Sequence, residues 1–171
     1  MVKLLSSILC FMLIGLRINA QQKIVYPSKV LEATFEISKN AKVKNFEVEG
    51  KQAEVFMFLS ESKEFEYTLT VTKSKDAGVV FKDFKEDEYK NSYLESCSCT
   101  IEGEQEQSYG DFKTYQFSTI TKANGQALYG LVDNLERNGD VFAFVYLTTL
   151  ANYEIFKHNY REVIESIGFI K

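Results

Sequence analysis

Apolar and polar residues alternate along much of the chain, and the alternation marks strands. Leu31, Ala33, Phe35 and Ile37 are separated by Glu32, Thr34 and Glu36, a period of two that gives one apolar and one polar face. The segment from Val43 to Glu49 repeats this weakly, and Gly50-Lys51 turns the chain back. Stronger strands are predicted over Glu54 to Ser60 and Phe65 to Lys73, joined by a polar turn. In the second of these, Phe65, Tyr67, Leu69 and Val71 point one way and Glu66, Thr68, Thr70 and Thr72 the other. Lys23 to Ser28, which carries the chain's one proline (Pro27), reads as a short lead-in.

The second half is patterned more sharply. Phe81, Phe84, Tyr89, Tyr93 and Leu94 form a ragged apolar stripe that predicts a first helix from Phe81 to Ser96. Phe112 to Thr121 is a strand with Tyr115, Phe117 and Thr119 on one face. Asn124-Gly125 and Asn138-Gly139 predict tight hairpins, since both central residues of a type I′ turn need positive φ. Val141 to Leu147 is apolar at every position, which predicts a strand covered on both faces and central in its sheet. The closing helix puts Tyr153, Phe156, Tyr160, Val163, Ile164 and Ile167 on one stripe, opposite Lys157, His158, Arg161, Glu162 and Glu165. Strands and helices in this order, with tight turns, predict an α+β domain with an antiparallel sheet.

The first twenty residues alter the picture of where this domain works. Lys3, the apolar run Leu4 to Leu16, and Ile18-Asn19-Ala20 read as an export signal cleaved between Ala20 and Gln21. Cys10 raises a lipoprotein alternative, but it lies too early and follows the bulky Leu9. The apolar run is too short for a comfortable membrane span, and no later stretch is long enough for one. Removing 20 residues from 171 leaves 151, the size of one domain, so 21–171 is read as a single exported unit of periplasmic or extracellular destination. Removing Lys3 and Arg17 takes the net charge from −4 to −6, which argues against nucleic acid or an anionic membrane surface as partner. Phe and Tyr are plentiful and Trp is missing, a composition that suits a packed interior.

Three stretches carry a family pattern: EGEQEQSYGDFKTYQF from residue 102, ALYGLVDNLERNGDVFAFVYL from 127, and FKHNYREVIESIGF from 156. A turn at Gly110 before an aromatic strand, a hairpin at Gly139 and a closing helix followed by Ser166-Ile167-Gly168-Phe169 make the chain resemble the PsbP-like superfamily. That superfamily includes an extrinsic photosystem II subunit, a Ran-binding nuclear-import factor and many exported bacterial domains. The resemblance implies a central antiparallel sheet with helices packed on both faces. It carries over no catalytic set and implies a protein that binds partners. The chain departs from many relatives in lacking a Trp near the first turn.

Candidate chemistry is sparse. Cys97 and Cys99 are the cysteines left after the signal, too few for a disulfide framework. In an extended segment the two sulfurs share a face and suit a soft metal ion or a redox-active disulfide. In a helix they diverge by about 200°, and the pair is then one buried thiol and one incidental one. His158 is the lone histidine and falls on the polar face of the last helix, so a multi-histidine metal site is excluded. Glu102, Glu104 and Glu106 share one face of a strand, suited to calcium or a basic partner, or to an edge strand charged against aggregation. No phosphate loop, nucleophile elbow or HExxH motif occurs, and no cofactor is expected. The expectation is therefore a monomeric, non-enzymatic accessory domain that binds a protein partner in the bacterial envelope. The alternatives are a thiol-redox or soft-metal protein using Cys97 and Cys99, and a carrier with an apolar pocket between sheet and helix.

Overall fold

The computed structural model describes residues 22–48, 51–60, 64–75, 78–123 and 125–170. The export segment, Cys10, and the cleavage site at Ala20 and Gln21 lie outside the described residues. Among the described residues, ten strands and two short helices follow one another. The strands of the first half are β1 (Lys23–Ser28), β2 (Ala33–Ser38), β3 (Lys42–Val48), β4 (Lys51–Leu59) and β5 (Phe65–Lys75). A 3₁₀ turn (Phe81–Lys85) leads into helix α1 (Asp87–Cys97). Then come β6 (Thr100–Tyr109), β7 (Phe112–Ala123), β8 (Gln126–Arg137), β9 (Asp140–Thr149), helix α2 (Tyr153–Glu165) and β10 (Gly168–Phe169).

Seven strands form an antiparallel sheet in the order β3-β4-β5-β9-β8-β7-β6. Strand β9, which carries the apolar run Val141 to Leu147, is its middle member, as that run requires. Its even residues Phe142, Phe144 and Tyr146 enter one buried cluster, and Val141 and Val145 the other. The β8–β9 hairpin turns at Asn138 (φ 56°) and Gly139 (φ 80°), the two positive φ values of a type I′ turn.

The larger cluster lies between this sheet, α2 and a second sheet of three strands, β1-β2-β10. Tyr160, Val163 and Ile164 of α2 are buried in it, and Tyr153, Phe156 and Ile167 pack at its margin, so the apolar stripe of the sequence is the buried face of the helix. Phe35, Phe56 and Tyr26 meet edge-to-face nearby, which ties the small sheet to β4. The smaller cluster gathers Phe84, Tyr115, Phe117, Val132 and Val141, with Tyr89 and Tyr93 of α1 against it.

The architecture is α+β, built mainly from antiparallel strands. It departs from a single helix-flanked sheet in one respect: a second sheet, not a helix alone, closes the larger cluster. The lead-in Lys23 to Ser28 is strand β1, paired with β2 from Lys23↔Ser38 to Ser28↔Ala33. Its apolar residues Ile24 and Val25 are adjacent and exposed, so no alternation announced it. Pro27 is tolerated because β1 is an edge strand. β10 is two residues long and takes its place from pairing with Thr34 and Ala33.

The first helix also begins later than its stripe implies. Asp83 accepts a hydrogen bond from the Val80 N–H at 2.8 Å, stabilising a 3₁₀ turn, and Glu86 is extended (ψ 143°) before α1 starts. Phe65, placed inward by alternation, is 41% exposed. It pairs with Leu59 where the β4–β5 register shifts, and the shift breaks the period-two rule there.

Candidate functional site

On the β6–β7–β8 half of the larger sheet, the face toward α2 changes from apolar to polar. Thr114 and Gln116 of β7 and Asp133 of β8 are all buried there. One Asp133 oxygen accepts from the Thr114 hydroxyl at 2.5 Å. The other accepts from the Gln116 amide at 3.0 Å, from the Tyr109 hydroxyl at 3.2 Å and from the Tyr160 hydroxyl in a short bond. Four donors thus meet the buried carboxyl, three on one oxygen and one on the other. Burial raises the Asp133 carboxyl above the ordinary carboxylate range, and its four donors oppose that rise. The same burial, with the Asp133 charge beside it, pushes the Tyr160 hydroxyl well above the usual tyrosine value.

Side chains held by this carboxyl form the floor of a trough of about 270 Å³ between β6–β8 and α2. Tyr109, Gln116 and Tyr160 line it, joined from β6 by Gln105 and Gln107. Gln105 donates to the Gln116 side-chain oxygen at 2.8 Å, which extends the network toward the mouth. Tyr129 and Tyr153, with ring centroids 3.8 Å apart, form an aromatic wall. Lys157 and Arg161 of α2 also line it, one turn apart on the helix, as does Glu104 of β6. The trough lies between sheet and helix, where the sequence placed the pocket of a carrier, and its lining is mixed, with Leu131 among the polar groups. A shallower hollow of about 350 Å³ lies beside β3 and β4, around Phe46 and Glu54.

The acidic run does not assemble into one site. A register shift between Ile101 and Gly103 leaves Glu102 out of the β6–β7 ladder, where it accepts from Thr100 at 3.0 Å. Glu104 meets Lys90 of α1 at 3.1 Å and the Tyr115 hydroxyl at 2.5 Å. Those two contacts hold its carboxyl below the usual range, the Tyr115 hydrogen bond foremost. Glu106 pairs closely with Lys85, which likewise lowers it. These lysines lie in the 3₁₀ turn and α1, and pattern along β6 alone does not reveal them. β6 is the edge strand of its sheet, as the charged-edge reading requires.

Cys97 and Cys99 are joined by a disulfide, with Cα atoms 5.2 Å apart. Divergence by about 200° applies only while the helix continues. Here α1 ends at Cys97, and Ser98 adopts the left-handed conformation (φ 50°), which turns Cys99 back toward it. In this bonded form neither sulfur is a thiolate able to ligate a soft metal ion. His158 stands on the exposed face of α2, 3.1 Å from Glu162.

Sequence reasoning placed Tyr160 in the core and Arg161 on the surface, and missed Asp133 and Gln116 altogether. Asp133 sits in an apolar stretch (Leu131, Val132, Leu135), and a lone acid there was the available signal.

The sequence matches no protein-family model and no curated protein. Its structure is similar to several solved ones. Cyanobacterial PsbP from Synechocystis aligns with a TM-score of 0.64 at 13% identity, over 91% of this chain and 96% of that one. A Pseudomonas aeruginosa protein of unknown function aligns at 0.53 and 13% identity, over 88% and 99%. A protein from Bacteroides thetaiotaomicron aligns at 0.60 and 12% identity, over 88% of this chain but 49% of that one. The chain has the PsbP-like fold.

Proposed function

We propose that this chain is an exported accessory domain that holds a protein partner in the bacterial envelope and carries out no reaction of its own. The observation that supports this most directly is how its buried polar groups are engaged. Asp133 is fully buried behind the trough's lining and accepts from four neutral donors, and the more exposed Glu104 is tied to Lys90 and Tyr115, so these groups serve as ties between elements. A general base needs a free lone pair within hydrogen-bond reach of substrate. The PsbP-like fold and the export-type leader at 1–20 point the same way.

The partner surface is the outer side of α2 and its approach. Leu150 and Ile155 are 52% and 64% exposed there, with Glu154 and His158 beside them. An apolar centre within a charged rim is the anatomy of a protein interface. Mild crosslinking in the host envelope should capture one dominant partner with the parent chain and lose it with Ile155→Glu. Retention of the same partner by that variant, or no crosslinked species at all, would refute the reading.

A further inference from the structure

We infer that the trough beneath α2 binds a small hydroxylated organic acid of about monosaccharide size. This goes beyond the protein-partner reading and rests on a different surface, the inner side of α2.

The size class follows from the volume. About 270 Å³ lies just below the usual range for ligand sites and suits a single sugar-sized body. The charge follows from α2. Lys157 and Arg161 line the same trough, and the one acid in its lining, Glu104, has its carboxylate engaged by Lys90 and Tyr115. Glu154 lies 3.8 Å from Lys157, and both are more than half exposed, so that pair is weak. Arg161 uses Nε toward Glu165 at 2.8 Å. A guanidinium carries five donor hydrogens, and its two terminal nitrogens present the fork that matches a carboxylate.

Hydroxyl recognition follows from the floor. Tyr109 and Tyr160 spend their phenol hydrogens on Asp133 and turn oxygen lone pairs to the trough as acceptors, while Gln105, with one amide hydrogen given to Gln116, keeps a second hydrogen and its oxygen, so the floor both accepts and donates, as sugar-like hydroxyls require. Tyr129 and Tyr153 supply the aromatic wall on which the C–H face of such a ligand rests.

The buried Asp133 explains why the floor is rigid. Burying a carboxylate without a cation is unfavourable, and an apolar residue would fill the space at lower cost. What the carboxylate does is aim Tyr109, Gln116 and Tyr160, three of the lining groups, in fixed directions. Groups oriented beforehand lose less freedom when a ligand arrives.

The test is an NMR titration of the purified chain with D-glucuronate, D-gluconate and, as neutral control, D-glucose. A saturable response of the Gln105 and Gln116 side-chain amides to the two acids is expected, at least tenfold weaker for glucose. Arg161→Met should weaken acid binding at least tenfold with an unchanged amide spectrum elsewhere, while Glu165→Gln leaves binding intact. No saturable response to either acid overturns the inference. So does equal binding of glucose, or full binding by Arg161→Met. Each of these results leaves the crosslinking test of the outer α2 surface unaffected.

Discussion

At the scale of single residues, Asp133 carries the most consequence. Tyr160→Phe removes one of its four donors and leaves both packing and ring in place, so the expected loss is about 1–3 kcal/mol of folding stability, read by urea denaturation. Asp133→Asn should also destabilise, because an amide presents donors to donors. Its pH dependence has a definite sign. Burial raises the folded-state carboxyl above its ordinary value of 3.8, so the folded chain holds the proton more tightly than the unfolded one. The stability that Asp133 contributes is then greatest below that value and declines as pH rises through the folded-state value. The gap between parent and Asp133→Asn should therefore narrow from acid toward neutral pH; a gap that widens would contradict the assignment. Gly130 is a second sensitive point. A Cβ there would meet the Thr119 hydroxyl at 2.7 Å and the Leu147 side chain at 2.9 Å. Gly130→Ala should cost about 1–3 kcal/mol in the same assay.

Elements divide by how they declared themselves. Helix α2 was legible because its stripe obeys the 3.6-residue period and its exposed face is charged. Ile164 is fully buried and Ile155 lies on the other side, so Ile164→Ala should cost about 2–5 kcal/mol and Ile155→Ala under about 0.5. β9 was legible because an unbroken apolar run leaves no solvent face. β1 and β10 were not: their places come from pairing with β2, a long-range relation that no local pattern encodes. The site was hidden for the same reason. Gln105, Gln116, Asp133 and Tyr160 come from β6, β7, β8 and α2, and their convergence depends on register and helix placement. The Cys97–Cys99 link closes a very short loop, so it constrains the unfolded chain little. Replacing both residues by Ser should lower stability by no more than about 2 kcal/mol, again by urea denaturation. A larger loss would give the bond a structural role that its loop length does not supply.

The whole molecule is an antiparallel frame whose two halves differ in use. The β3–β4–β5–β9 side builds core, while the β6–β7–β8 side trades apolar contact for a polar floor under α2. On the proposed reading the outer face of that helix meets a partner, and on the further inference its inner face holds a small molecule. Both readings have the chain work by holding something, and the first proposes that it does so in the envelope. That claim is tested most directly by native mass spectrometry of the protein taken, without reduction, from its host's envelope fraction after mild crosslinking. The account predicts residues 21–171, two hydrogens lighter than the dithiol chain, within one discrete complex of higher mass. A full-length chain found in the cytosol, or a mature chain bound to nothing, would contradict it.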